Sequence, residues 1–168
     1  MIGLMRSNNR PSLGRLLVAL GVALALLMAA IWTSLDTSRL PTIELETPRG
    51  RIVVELADTA ATRSTGLSDR DALSGIDGML LKWDAPGRHA IWMAGMRFPL
   101  DLLWIDGDGR VLSVLPNVPP CRAEPCTIYE PRGTDPSVAV LELPAGEAAR
   151  RSLTAGTTVQ IHDLSRDQ

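Results

Sequence analysis

Two carboxylates, a histidine and several arginines sit among large apolar residues in this chain, and chemistry has to be sought there first. Asp101 lies in LDLLWI and Glu142 in VAVLEL. An acid inside an apolar strand must find a partner or lose its charge. Paired carboxylates can act as general acid and base, as in glycoside cleavage, with His89 a proton carrier beside Trp92. The plainer expectation makes each acid the ion-pair partner of an arginine such as Arg63, Arg70 or Arg97, and His89 an ordinary hydrogen-bonded residue at a strand start. For Asp101 the expected partner is Arg63 or Arg70, because the glycine-broken segment that carries them is short enough to fold back over a sheet. Trp83, Trp92 and Trp104 read first as core, with a sugar-stacking platform as the rival. No G-x-S-x-G elbow, phosphate loop or dinucleotide fingerprint occurs.

Cys121 and Cys126 enclose a short proline-containing run, CRAEPC. In an oxidising compartment they are expected to form a disulfide, stabilising by roughly 2 kcal/mol in the chain-entropy model. A redox-active pair is the alternative, although the spacing is not C-x-x-C. Zinc would need four ligands, and the chain has two histidines far apart, so no metal or cofactor is assigned.

The elements that must position these residues centre on GMLLKWDAPGRHAIWMAGMRFPLDLLWID, Gly78 to Asp106. It holds three of the four tryptophans and the only phenylalanine, Phe98, so the core is placed there. Leu100, Leu102 and Trp104 fall on one face of a strand from Phe98 to Ile105, with Asp101, Leu103 and Ile105 on the other. Apolar residues on both faces predict a strand in the middle of a packed sheet. Ile43 to Glu46 and Arg51 to Ala57 alternate as a hairpin. Asp58 should cap a helix from Thr59 to Thr65 that stops at Gly66. Gly78 to Trp83 and Arg88 to Met93 read as strands around an Asp84–Gly87 turn, and Arg110 to Leu115 returns from the Asp106–Gly109 loop. Pro116 to Pro136 is a long loop, functional or clamped. Val138 to Leu143 is a strand, Glu147 to Leu153 a short helix, and Thr157 to Ile161 a closing strand. Short strands with sparse helices predict a mainly β domain, most simply a two-sheet sandwich.

Ahead of this domain, Arg6, Arg10 and Arg15 precede residues 16–32, LLVALGVALALLMAAIW, which contain no polar side chain. About 17 residues at ~1.5 Å each give roughly 25 Å of helix, near the ~30 Å of a hydrocarbon core. The run exceeds the usual signal-peptide apolar region and no small-x-small pair closes it. The expectation is an uncleaved signal-anchor helix at 16–32, a basic cytoplasmic N-terminus at 1–15, a linker at 33–41, a domain at 42–163 and a tail at 164–168. The positive-inside rule puts the domain on the extracytoplasmic side, periplasmic if the source is a two-membrane bacterium. The formal net charge of -2 gives no field for nucleic acid.

The ordered motifs RxxGLxxR (Arg63 to Arg70), GMLL (Gly78 to Leu81), HxIWM (His89 to Met93), MRFPLDLLWID (Met96 to Asp106), PPCxxxPCxxY (Pro119 to Tyr129) and VLELPAG (Val140 to Gly146) resemble the DUF192 family, also catalogued as UPF0127. The resemblance implies a jelly-roll-like β-sandwich that often follows an export signal, and no mechanism. Where that family commonly carries lysine followed by asparagine or aspartate, this chain has Ala94 and Gly95, which favours a binding or structural role. The leading expectation is a membrane-anchored module binding a small molecule or an envelope protein through Arg63, Arg70, Trp92, Met93, Arg97 and Asp101. The alternatives are a hydrolase using Asp101, Glu142 and His89, and a structural accessory of an envelope complex.

Overall fold

Leucine- and alanine-rich sequence without a proline or a polar interruption favours helix, and the first element is α1, Leu13–Asp36, of 24 residues. The structure, a computed structural model, describes residues 13–36 and 40–162. The N-terminal basic residues up to 12, residues 37–39 of the linker and residues 163–168 lie outside the described residues. In α1, side-chain surroundings are described at 14, 15 and 17–28, where Leu17, Val18, Leu20, Val22 and Leu24 are all exposed. Over the described residues no helix is long and apolar enough to cross a membrane. The second unit begins at Leu40.

That unit is mainly β. The alternation of Ile43 and Leu45 with acids makes β1 (Thr42–Thr47), which pairs antiparallel with β2 (Gly50–Ala57) through a turn placing Thr47 opposite Gly50. A crossover through the short helix α2 (Ala60–Thr65) returns the chain as β3 (Gly78–Gly87), parallel to β2. The helix is capped by Thr59 rather than the expected Asp58. The Thr59 and Thr62 side chains each accept the other's backbone N–H, which satisfies two first-turn donors at once. Gly66 does end the helix, at φ +52°, a region that suits glycine.

After the two-residue strand β4 (Ile91–Trp92) come β5 (Leu100–Ile105), β6 (Val111–Val118), a second two-residue strand β7 (Ile128–Tyr129), β8 (Ser137–Pro144), the single-turn helix α3 (Glu147–Arg150) and β9 (Gln160–His162). Seven strands form one sheet in the order β6-β5-β8-β3-β2-β1-β9, while β4 and β7 pair only with each other. The expected two-sheet sandwich is therefore replaced by one large sheet and a small ribbon. The large sheet curls until its ends meet. Val111 N–H donates to the Thr157 carbonyl at 2.8 Å and Val159 N–H to the Gly109 carbonyl at 2.8 Å, with Arg110 bridged to Thr158. This contact covers the start of the β6 edge, where an open edge could stick to other sheets. Gly109, at φ +79°, is required there, since a Cβ would run into the Val159 carbonyl.

Two apolar layers result. Leu45, Ile52, Leu80, Leu103, Ile105 and Leu141 fill one face with Val111 and Val159 from the closing seam. Met79, Leu81, Leu102, Trp104 and Val140 form the other, covered by Leu67, Met93 and Met96 from the connections. β5, buried at all six positions, lies between β6 and β8 as its two-sided apolar pattern requires. Three other expectations shift. β3 runs through the predicted Asp84–Gly87 turn, with its register broken between Lys82 and Gly87. The Arg88–Met93 strand shrinks to β4 and pairs with β7, inside the stretch expected to be loop. The helix after Gly146 stops at Arg150 rather than Leu153.

Candidate functional site

Strand register decides which acids can work together. Leu102 is opposite Glu142, and Asp101 is opposite Leu143, so Asp101 and Glu142 project from opposite faces of the sheet. A mechanism that places two carboxylates on either side of one scissile bond is not assembled from this pair. Asp101, 1% exposed, forms no ion pair with an arginine among the described residues. Its Oδ1 accepts the Asn117 amide at 2.9 Å, and its Oδ2 accepts those of Gly146 at 2.9 Å and Ala148 at 3.0 Å. The carboxylate is satisfied by backbone donors and ties the start of α3 to β5 and β6. The Arg63 or Arg70 partnership expected for it is thus corrected. Arg70 Nη2 instead meets Glu55 Oε2 at 2.6 Å.

Glu142 is in the opposite condition. It is 5% exposed, and among the described residues it has no hydrogen-bond or ion-pair partner. No fully enclosed side-chain oxygen or nitrogen among them lacks a partner, so the oxygens of Glu142 must open onto space. That space is a cavity of about 320 Å3, lined by Glu142 together with Arg63, Ser68, Leu81, Trp83 and Trp92 among others. Burial without a partner pushes the Glu142 carboxyl up to about 7.

The cavity exists because the connection between β2 and β3 folds back over the sheet. Gly66 lies over Glu142, where a Cβ would stand 3.8 Å from Oε2. Ser68 Oγ donates to the Ala94 carbonyl at 2.9 Å and Asp69 N–H to the Gly95 carbonyl at 2.9 Å, fastening this connection to the chain after β4. Gly95, at φ +70°, would press a Cβ to 3.1 Å from Ser68 Cβ.

The wall is held as firmly. Arg63 Nη1 donates to the carbonyls of Asp58 and Lys82, and its guanidinium lies 5.1 Å from the Trp83 ring centre. His89 stacks on the same tryptophan at 3.9 Å, nearly parallel, and its Nε2 is 3.2 Å from the Ala85 carbonyl. Burial lowers the His89 pKa against the pull of that carbonyl, and Arg63 lowers it further. Among the described residues His89 makes no hydrogen bond to Asp101 or Glu142. Trp104 is core, donating Nε1–H to the His89 carbonyl at 2.7 Å. The three tryptophans divide into one core residue and two at the cavity.

Of the remaining expected binding residues, Trp92 lines the cavity and is 55% exposed. Met93 is core. Arg97 lies at the surface and pairs with Asp71 at 2.7 Å and Asp69 at 3.7 Å. Arg63 and Trp92 are therefore brought together with Glu142, while Arg70, Met93, Arg97 and Asp101 hold the surrounding structure. Cys121 and Cys126 are bridged, with Cα atoms 5.5 Å apart. Cys121 N–H donates to the Met93 carbonyl at 3.0 Å, so the loop is clamped against β4. Glu55 went unrecognised in the sequence. Its signal was the one that marked Asp101 and Glu142, an acid between apolar neighbours in RIVVELA.

The fold and site define a class: a curled mainly β domain with a small cavity lined by an acid, Glu142, that has no partner among the described residues. The chain belongs to the DUF192 family, described as an uncharacterised ACR, whose model matches residues 43–161. Two solved structures are similar to it. A protein of unknown function from Novosphingobium aromaticivorans is 31% identical over 74% of this chain and 88% of that one, with a TM-score of 0.62. A putative transcription regulator from Sinorhizobium meliloti is 30% identical over 71% of this chain and 92% of that one, also at 0.62. No curated protein matches the chain.

Proposed function

We propose that this protein is a membrane-anchored, extracytoplasmic binding module whose domain takes a small ligand in the cavity above Glu142. One observation carries the reading: a nearly buried carboxyl with no partner opens onto a shaped cavity with two tryptophans and an arginine on its wall. Leaving such a group unpaired costs stability, and a convergence of polar groups in an apolar-walled pocket is the general form of a ligand site. The anchoring part rests on the apolar run at 16–32 behind Arg6, Arg10 and Arg15. The test is an unbiased small-molecule screen on the full-length protein in detergent, read as a shift in melting temperature. Ligands that raise the melting point of the wild type and not of Glu142→Gln or Trp92→Ala support the proposal. If shifts are the same in all three proteins, binding is elsewhere and the cavity reading fails.

A second reading, the envelope accessory, is favoured by the outer surface of the ribbon. Trp92 and Ile128 are cross-strand partners, 55% and 66% exposed, beside the cavity mouth. A protein partner covering that pair would protect both strands from amide exchange.

A further inference from the structure

Glu142 and Arg63 line one small cavity, have opposite ionic preferences and form no ion pair with each other. Glu142 springs from β8, fixed between β3 and β5. Arg63 is pinned through Nη1 to two carbonyls and lies over Trp83, and its Nε and Nη2 donors have no hydrogen-bond partner among the described residues. A desolvated carboxyl is relieved by a cationic donor, and a guanidinium with spare N–H groups is the fitting receptor for a carboxylate.

Of the three lining hydroxyls, those of Ser64, Thr65 and Ser68, two are already committed. The Thr65 hydroxyl donates to the Ala61 carbonyl and the Ser68 hydroxyl to the Ala94 carbonyl, so both have spent their protons. The Trp83 ring is already engaged by His89 and Arg63, which leaves Trp92 to stack. Leu67, Leu81, Ile91 and Met96 supply the aliphatic part of the lining. A volume of about 320 Å3 is at the low end of the roughly 300–1,000 Å3 of small-molecule pockets. That suits a molecule the size of a free amino acid rather than a polymer.

We infer that the cavity binds a small zwitterion, its ammonium group meeting Glu142, its carboxylate meeting Arg63, and its apolar body lying against Trp92 and the aliphatic wall. This rests on the ligand-binding reading above and names the ligand class. Because Glu142 is partly protonated at neutral pH in the empty protein, a bound ammonium expels its proton, so binding releases protons to the buffer.

The experiment is calorimetric titration of the full-length protein in detergent at pH 7. The probes are the common free amino acids and two single-charge analogues of leucine, 3-methylbutylamine and 4-methylpentanoate, with glucose as the neutral probe. An amino acid should bind at least about tenfold more tightly than either analogue of its shape, with proton release that differs predictably between buffers. Glu142→Gln should weaken the amino acid and the amine and spare the carboxylate. Arg63→Gln should weaken the amino acid and the carboxylate and spare the amine. Since Arg63 also fastens α2, Arg63→Lys is the control, and it should restore part of the carboxylate affinity. Binding of the amine alone as tightly as the amino acid, or of glucose in preference to both, overturns the zwitterion while leaving the cavity a ligand site. If no amino acid binds with a Kd below about 1 mM, the inference falls. The cavity reading falls with it only if the unbiased screen also finds nothing sensitive to Glu142 and Trp92.

Discussion

Glu142 weakens the fold whenever it is charged. Its carboxyl titrates at about 7 in the folded protein against 4.5 for an unperturbed glutamate. A raised folded value means that the stability contributed by the neutral form is fully present below about pH 4.5 and is lost as pH rises through 7. That displacement corresponds to roughly 3 kcal/mol. Glu142→Gln keeps the shape and removes the titration. The variant should match the wild type in urea near pH 4 and exceed it by roughly 3 kcal/mol at pH 8 and above. Parallel pH profiles for the two proteins would show that the carboxyl is not held in this environment. Asp101 is the contrast. It accepts three backbone amides, and an asparagine would turn an N–H toward at least one of those donors. Asp101→Asn should therefore cost about 2–4 kcal/mol, and Asp101→Glu should not rescue it, because the longer arm overshoots the amides. An unchanged urea midpoint would refute that role. The need of Asp101 for a partner was legible in the sequence. Its identity was not, since backbone amides 16, 45 and 47 residues away leave no side-chain signature.

Among the elements, the strands with strong alternation were legible and the ribbon was not. β1, β2, β5 and β8 appear where their apolar periodicity puts them, because each has a face that must be buried. β4 depends on a two-residue partner inside a proline-rich connection, where local pattern is too short to speak. The cavity was legible only in its parts. Arg63, Trp92 and Glu142 were singled out, but their meeting depends on the segment 58–77 folding over one face of the sheet, which is a matter of register. The same ribbon yields a prediction. Its second strand is held by the Cys121–Cys126 bridge, by Cys121 N–H on the Met93 carbonyl, and by Arg88, whose Nη2 reaches Glu130 at 3.1 Å. Both thiols should resist alkylation in denatured protein until it is reduced. The double variant Cys121→Ala/Cys126→Ala should lose about 2 kcal/mol, as expected for so small a ring. Free alkylation of the unreduced chain would leave the other two ties as the only clamp.

At the scale of the whole molecule, the curled sheet is the largest departure from expectation. Strand content fixed the class, but closure depends on accumulated twist bringing β6 to the segment before β9, and no local pattern encodes a meeting of residues 109–111 with 157–159. What remains is how such a domain is delivered. If the run at 16–32, which lacks any polar side chain and follows three arginines, anchors the chain as proposed, the positive-inside rule keeps the N-terminus in the cytoplasm and sends the domain across. On that topology the Cys121–Cys126 bridge would lie where thiols are oxidised rather than kept reduced. The full-length chain should therefore stay with the membrane fraction through an alkaline carbonate wash, and protease added to spheroplasts should digest the domain without lysis. A mature protein that starts after Trp32 and washes free would replace the anchor with a cleaved signal while leaving the exported domain in place. Protection of the domain until the cells are lysed would overturn the topology itself, and the reduced loop expected in the cytoplasm would then accompany it.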